Sequence, residues 1–103
     1  AVDFGGVPVD LGAIRAICDE FNLVLVEDAA HSLGSSWEGR PVGSVADLTT
    51  FSFHPVKPIT TGEGGAVTTN DPELARRIVL FSKPGITRDR AQMQNPDEGG
   101  WCY

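Results

Sequence analysis

LVLVE, residues 23–27, is a run of four apolar residues closing on an acid, with Asp28 next in line. Such a run, arriving directly after a helix, predicts a parallel strand buried on both faces. The helix before it is marked by Asp10, a good N-cap, and by Leu11, Ile14, Cys18 and Phe21 at helical spacing, with Ile17 beside that stripe. Arg15, Asp19 and Glu20 fall off the stripe. Further upstream, residues 1–9 read as a strand end and a loop through Gly5-Gly6 and Val7-Pro8.

Downstream, residues 32–46, SLGSSWEGRPVGSVA, are rich in turn formers, and their Gly-Arg-Pro signal predicts a small hairpin. LTTFSF, residues 48–53, is a further strand, and residues 54–64 form a loop holding two prolines and two glycines. A third strand follows over 65–69. Asn70 or Asp71 caps a second helix, Pro72 sits in its first turn, and Leu74, Ala75, Ile78 and Phe81 make its apolar stripe. Beyond Pro84-Gly85 the chain is polar and irregular. Helices alternating with buried-type strands indicate an α/β layer architecture.

Composition narrows the function classes. The 103 residues amount to one domain at most. With 8 basic against 14 acidic side chains and a net charge of −6, no basic footprint for nucleic acid is present. No apolar run reaches the roughly 18 residues that span a bilayer. Cys18 and Cys102 stand far apart, without disulfide-framework or zinc spacing, which points to a reducing, cytoplasmic setting and to no metal. The chain opens on Ala1 in the middle of a strand-like segment and stops at Tyr103 without a capped element, as expected of an internal piece of a longer protein.

In α/β sheets ligands gather beyond the carboxyl ends of the strands, so chemistry is expected just after residues 27 and 53. Asp28 is either a solvated strand-end acid or the partner of a cationic ligand group. Lys57 lies between Pro55 and Pro58, which fix the backbone on both sides and remove two N–H donors. A lone loop lysine is usually a surface cation; one restrained like this, near apolar residues, can serve as an amine nucleophile toward carbonyls. Ser52 is a strand hydroxyl five residues earlier, and His31 and His54, the two histidines of the chain, each flank one of the two segments. The Thr60-Thr61 and 62–65 stretch allows close backbone approach but lacks the Gly-Lys-Ser/Thr of a phosphate-binding P-loop. There is no GxGxxG, GxSxG or HExxH pattern, so dinucleotide, serine-hydrolase and zinc-protease readings lapse.

Taken together, EDAAH (27–31), FSFHPVK (51–57) and TTGEGG (60–65) resemble the DegT/DnrJ/EryC1/StrS family of sugar aminotransferases, and the similarity extends over nearly the whole chain. That resemblance implies the large domain of the PLP-dependent transferase fold (aspartate-aminotransferase-like, type I), a mostly parallel sheet with flanking helices. Residues 1–103 would then be the central part of the cofactor-binding domain, with an N-terminal segment and a C-terminal small domain outside it. The resemblance further implies pyridoxal 5′-phosphate as cofactor. Lys57 matches the lysine that forms the Schiff base, and Asp28 the carboxylate paired with the pyridine nitrogen. Ser52 matches a hydroxyl that binds the phosphate, His31 a position near the ring oxygen, and Ala30 the small residue packed against the ring.

The segments HPVKPITTGEGG and GITRD…QNPDEG are most similar to the pseudaminic-acid branch of the family. Those members place an amino group on C4 of a UDP-linked 4-keto-6-deoxy sugar, usually with glutamate as donor, and work as homodimers. Relatives with histidine in place of Lys57 are dehydratases; the lysine favours amino transfer over that alternative. A cofactor-free remnant without catalysis is the reading from another class. Lys83-Pro84 stands where the family usually has a serine-histidine pair, which predicts an early end to the second helix.

Overall fold

The structure is a computed structural model that describes residues 1–83, 86–93 and 96–97. It divides into two compact units, Ala1–Asn70 and Asp71–Tyr103.

The first unit is a small sheet with one helix packed on it. Helix α1 spans Leu11–Glu20, and the Asp10 carboxylate caps it by accepting the Ala13 N–H. The strands are β1 (Val26–Asp28), β2 (Ser36–Trp37), β3 (Arg40–Pro41), β4 (Leu48–Ser52) and β5 (Gly65–Thr68). β1 runs parallel to β4 with Glu27 opposite Thr49 and Asp28 opposite Thr50. β4 runs antiparallel to β5, Thr50 opposite Val67 and Ser52 opposite Gly65. The N-terminal segment joins the far side of β1 through a parallel bridge, Val2 to Asp28.

The sheet is therefore mixed, which corrects the expectation of a mostly parallel one within this chain. The cause is the 53–64 loop. It contains no helix to carry the chain across the sheet; instead Phe53 donates to the Gly64 carbonyl (2.8 Å) and Thr61 to the Phe53 carbonyl (3.1 Å). The chain thus folds straight back beside β4, as an antiparallel return does. Gly65 permits that return, since a Cβ there would lie 2.7 Å from the Phe51 carbonyl oxygen.

The first strand also differs from expectation. Its ladder starts at Val26, and burial alternates rather than covering both faces. Leu25 and Glu27 are 2% and 0% exposed, against 63% for Val24 and 45% for Val26. Among the described residues of this chain, the face toward α1 is the covered one, by a core of Leu11, Cys18, Leu25 and Ala46, with Val9, Ile14, Trp37 and Val45 against it. Full burial of a leucine such as Leu11 or Leu25 contributes about 1.5–3 kcal/mol. Phe21, expected on the helix stripe, is instead the residue that ends α1 and is exposed, as is Ile17. The predicted hairpin is present as β2–β3, where Glu38 and Gly39 both take positive φ (47° and 76°), the backbone of a tight two-residue return.

Arg15 ties α1 to the entry of β4. It donates to Asp19 (2.9 Å) and to Asp47 (2.7 Å), and Asp47 also accepts the Leu25 N–H (2.7 Å). The Arg15 hydrogen bond, followed by that of Leu25, holds the Asp47 carboxyl below its ordinary value.

In the second unit, α2 spans Pro72–Phe81, with Pro72 in its first turn and Asp71 accepting from the N–H groups of Glu73 and Leu74. Its Leu74, Ala75 and Ile78 are half-buried and Phe81 is exposed. A short 3₁₀ turn at Arg90–Gln92 follows. The helix ends at Phe81; Pro84, like Cys102, lies outside the described residues. Among the described residues no helix is long and apolar enough to cross a membrane.

Candidate active site

The parallel pair β1–β4 sets the site. Side chains alternate along a strand, and Glu27 and Thr49 turn into the core, where both are fully buried. Asp28, Thr50 and Ser52 consequently project from the opposite face, at the carboxyl ends of two neighbouring strands. Asp28 is exposed, and its Oδ1 accepts the Ala30 N–H at 3.1 Å. That bond closes the turn in which the chain leaves the strand, and it sets Ala30 directly against the carboxylate. Ser52 is half-buried, and its Oγ accepts the His54 N–H at 3.5 Å.

Lys57 closes a turn over residues 54–57, with its N–H on the His54 carbonyl at 2.9 Å and Pro55 in the second position, where a fixed φ suits the turn. Pro58 then holds Lys57 away from helical backbone. The loop beyond is braced by Thr61, which donates to the Glu63 carbonyl (2.8 Å), and by Gly62, which donates to Thr60 Oγ1 (3.0 Å). Gly62 has a φ of +84°, and a Cβ at Gly64 would collide with Thr61 Oγ1. The glycines are thus needed for this loop to fold tightly under the lysine.

Lys57 and His31 line the same cleft, of about 440 Å³, together with Gly5, Val56 and Pro58. His31 is oriented from the N-terminal segment: its Nδ1 accepts the Gly5 N–H at 3.4 Å, and the Phe4 ring meets it edge-on with centroids 5.8 Å apart. Of the five residues anticipated from sequence, two, Lys57 and His31, are brought together in this cleft. Asp28 and Ala30 form a second, hydrogen-bonded pair at the end of β1, and Ser52 stands at the end of β4 on the same sheet face. Gly5 and Phe4 were not anticipated. A Phe-Gly-Gly loop carries no local signature of a site; the Val2–Asp28 bridge, with hydrogen bonds from Ser32 to Asp3 and from Ser35 to the Gly6 carbonyl, brings it beside His31.

A half-buried amine at a cleft, an exposed carboxylate and a strand-end hydroxyl form a donor set suited to a cofactor with a carbonyl, a basic ring nitrogen and a phosphate. Comparison with known proteins gives the family. The model of the DegT/DnrJ/EryC1/StrS aminotransferase family matches residues 1–100. The chain belongs to that family. It is 48% identical over 102 residues to the UDP-4-amino-4,6-dideoxy-N-acetyl-beta-L-altrosamine transaminase of Campylobacter jejuni, covering 99% of this chain and 27% of that protein. Among solved structures, it is similar to Helicobacter pylori PseC, an aminotransferase involved in pseudoaminic acid biosynthesis. That match has a TM-score of 0.81 and 41% identity, and covers 85% of this chain and 24% of that one. The PLP-form of Spr1654 from Streptococcus pneumoniae matches with a TM-score of 0.72 and 34% identity, covering 84% of this chain and 27% of that one. The chain spans about a quarter of the length of these relatives. As a member of this family it shares the fold of the sugar aminotransferases, of which the mixed sheet and α1 are a part.

Proposed function

We propose that this chain carries the catalytic centre of a pyridoxal-phosphate-dependent sugar aminotransferase acting on C4 of a UDP-linked 4-keto-6-deoxy sugar, with glutamate as donor. The observation that carries the reading is Lys57, held by Pro55 and the 54–57 turn at the mouth of a cleft it shares with His31. The Campylobacter and Helicobacter relatives support the sugar, and the PLP-form of Spr1654 supports the cofactor.

Pyridoxal 5′-phosphate, when bound, supplies an aldehyde that takes up amino groups and a ring that withdraws electrons from the reacting carbon. The residues of the chain do the rest. The Lys57 amine would hold the cofactor, and its Nζ would serve as the base that moves the proton at the substrate carbon. The Asp28 carboxylate would hold the ring nitrogen through a charge-assisted hydrogen bond, typically about twice as strong as a neutral one. Ser52 would donate its hydroxyl to the phosphate. The Ala30 methyl would leave room for a flat ring, and His31, oriented by Gly5, would lie near the ring oxygen. The active protein is a homodimer.

The test is direct. The purified full-length protein, given the cofactor, glutamate and a UDP-linked 4-keto-6-deoxy sugar, should yield a 4-amino sugar and 2-oxoglutarate. Loss of water from the sugar with no amino transfer would replace this reading with a dehydratase.

A further inference from the structure

The core beneath the site contains two buried acids that the proposed chemistry does not use. Asp3 is 1% exposed and Glu27 0%. Asp3 Oδ1 accepts the Val9 N–H at 3.1 Å, and its Oδ2 accepts the Ser32 hydroxyl at 2.6 Å. Glu27 Oε2 accepts the Thr49 hydroxyl at 2.8 Å, while nothing among the described residues donates to the buried Oε1. Two ionised carboxylates in such a place would each bear a desolvation penalty of several kcal/mol and would repel one another.

The charges on the surrounding elements do not relieve them. On the N-terminal segment the facing group is Asp3 itself. Asp28, next along β1, projects from the opposite face. β4 offers Thr49, which is neutral. On α1 and ahead of β4, Arg15 and Asp47 pair with each other.

The donors distinguish the two acids. Both Asp3 oxygens accept, from Val9 and Ser32, whereas Glu27 accepts on Oε2 from Thr49 and its Oε1 meets no donor among the described residues. We infer that Glu27 is protonated in the folded protein at neutral pH and donates from Oε1 to the Asp3 carboxylate, making Glu27 a positioning residue for the site above it. The direction of its acidity agrees. Burial pushes the Glu27 carboxyl up and Asp3 adds to the rise, against the Thr49 hydroxyl and the Gly43 backbone.

The positioning runs through Asp3. Its backbone N–H donates to the Asp28 carbonyl at 3.0 Å, and its side chain holds Ser32, which closes the 29–32 turn by donating to the Ala29 carbonyl at 3.1 Å. Asp28, Ala30 and His31 all lie on the stretch so fixed. The positioning role rests on the function proposed above; the shared proton does not.

The experiment is urea unfolding of the cofactor-free full-length protein between pH 5 and 8, for wild type, Glu27→Gln and Glu27→Leu. A group whose folded pKa is raised contributes stability that is complete below its unfolded value, ordinarily 4.5, and is lost as pH rises through the folded value. Glutamine keeps an N–H donor toward Asp3 and does not titrate. The ratio of wild-type to Gln unfolding constants should therefore rise at least about threefold across this range. A ratio that stays flat would overturn the shared proton. Should the Gln variant not fold, the side-chain carboxyl resonance of Glu27 in ¹³C-labelled wild type decides instead. Titration above the exposed glutamates supports the inference, and titration among them overturns it.

For positioning, the Gln variant should keep borohydride-trapped cofactor on Lys57 while the Leu variant loses at least about tenfold in cofactor affinity. Equal affinity in both would overturn that role. A wild type that never labels at Lys57 would refute the proposed function and leave the unfolding result standing.

Discussion

Glu27 and Asp28 are neighbouring acids on one strand, and the two faces of the sheet treat them oppositely. Glu27 is sealed in the core against Thr49 and Asp3, while Asp28 stands exposed above the 29–32 turn. A single residue step along a strand reverses the face, so it separates an acid committed to the core from one exposed to ligands. The inner face, with Leu25, Glu27 and Thr49, is buried against a core that includes Leu11 and Ala46; the outer face holds Asp28, Thr50 and Ser52. The proposed site thus lies on the back of its own core.

The comparison can be broken from either side. Lys57→Ala gives the largest expected effect: turnover of the full-length protein should vanish, because the amine proposed to hold the cofactor and move the proton is gone. Asp28→Ala should lower turnover at least about a thousandfold, roughly 4 kcal/mol of barrier, with little change in the urea midpoint. Activity retained within about tenfold would make Asp28 a structural acid like its neighbour. On the inner face the pattern inverts. Leu25→Ala should cost about 2–5 kcal/mol of stability in urea unfolding, through lost burial and the cavity left behind.

The smallest effect is electrostatic and opposite in sign to that of Glu27. The Arg15 hydrogen bond lowers the Asp47 carboxyl, so its contribution is complete above the ordinary value of 3.8 and is lost as pH falls through the lowered one. The gap in urea midpoint between wild type and Asp47→Asn should be constant near neutrality and close in acid below about pH 3.8. A gap that persists there would mean that the Leu25 N–H, and not the charge, accounts for the bond.

Much of this was legible from local chemistry. Asp10 and the Leu11–Cys18 spacing gave α1, Asp71-Pro72 gave the start of α2, and the Gly39-Arg40-Pro41 signal gave the hairpin. The lysine between two prolines stood out for the same reason, since rigid neighbours mark a held side chain. What escaped depended on distant partners. Nothing in LVLVE tells whether one face or both will be covered; that is decided by what packs on them, which among the described residues of this chain is α1. The antiparallel return of β5 follows from hydrogen bonds of Phe53 across the loop to Thr61 and Gly64, which apolar patterning does not encode. Asp3 is the plainest case: nothing in the nine-residue lead segment marks it as buried, and the Val2–Asp28 bridge, with hydrogen bonds from Ser32 and Val9, holds it in the core.

The account turns on Lys57. Full-length protein loaded with pyridoxal phosphate, reduced with borohydride and mapped by peptide mass would test it most directly. The account predicts a reduced cofactor adduct on Lys57 and its absence in Lys57→Ala. An adduct that instead falls on Lys83, or that survives the Lys57→Ala substitution, would contradict it.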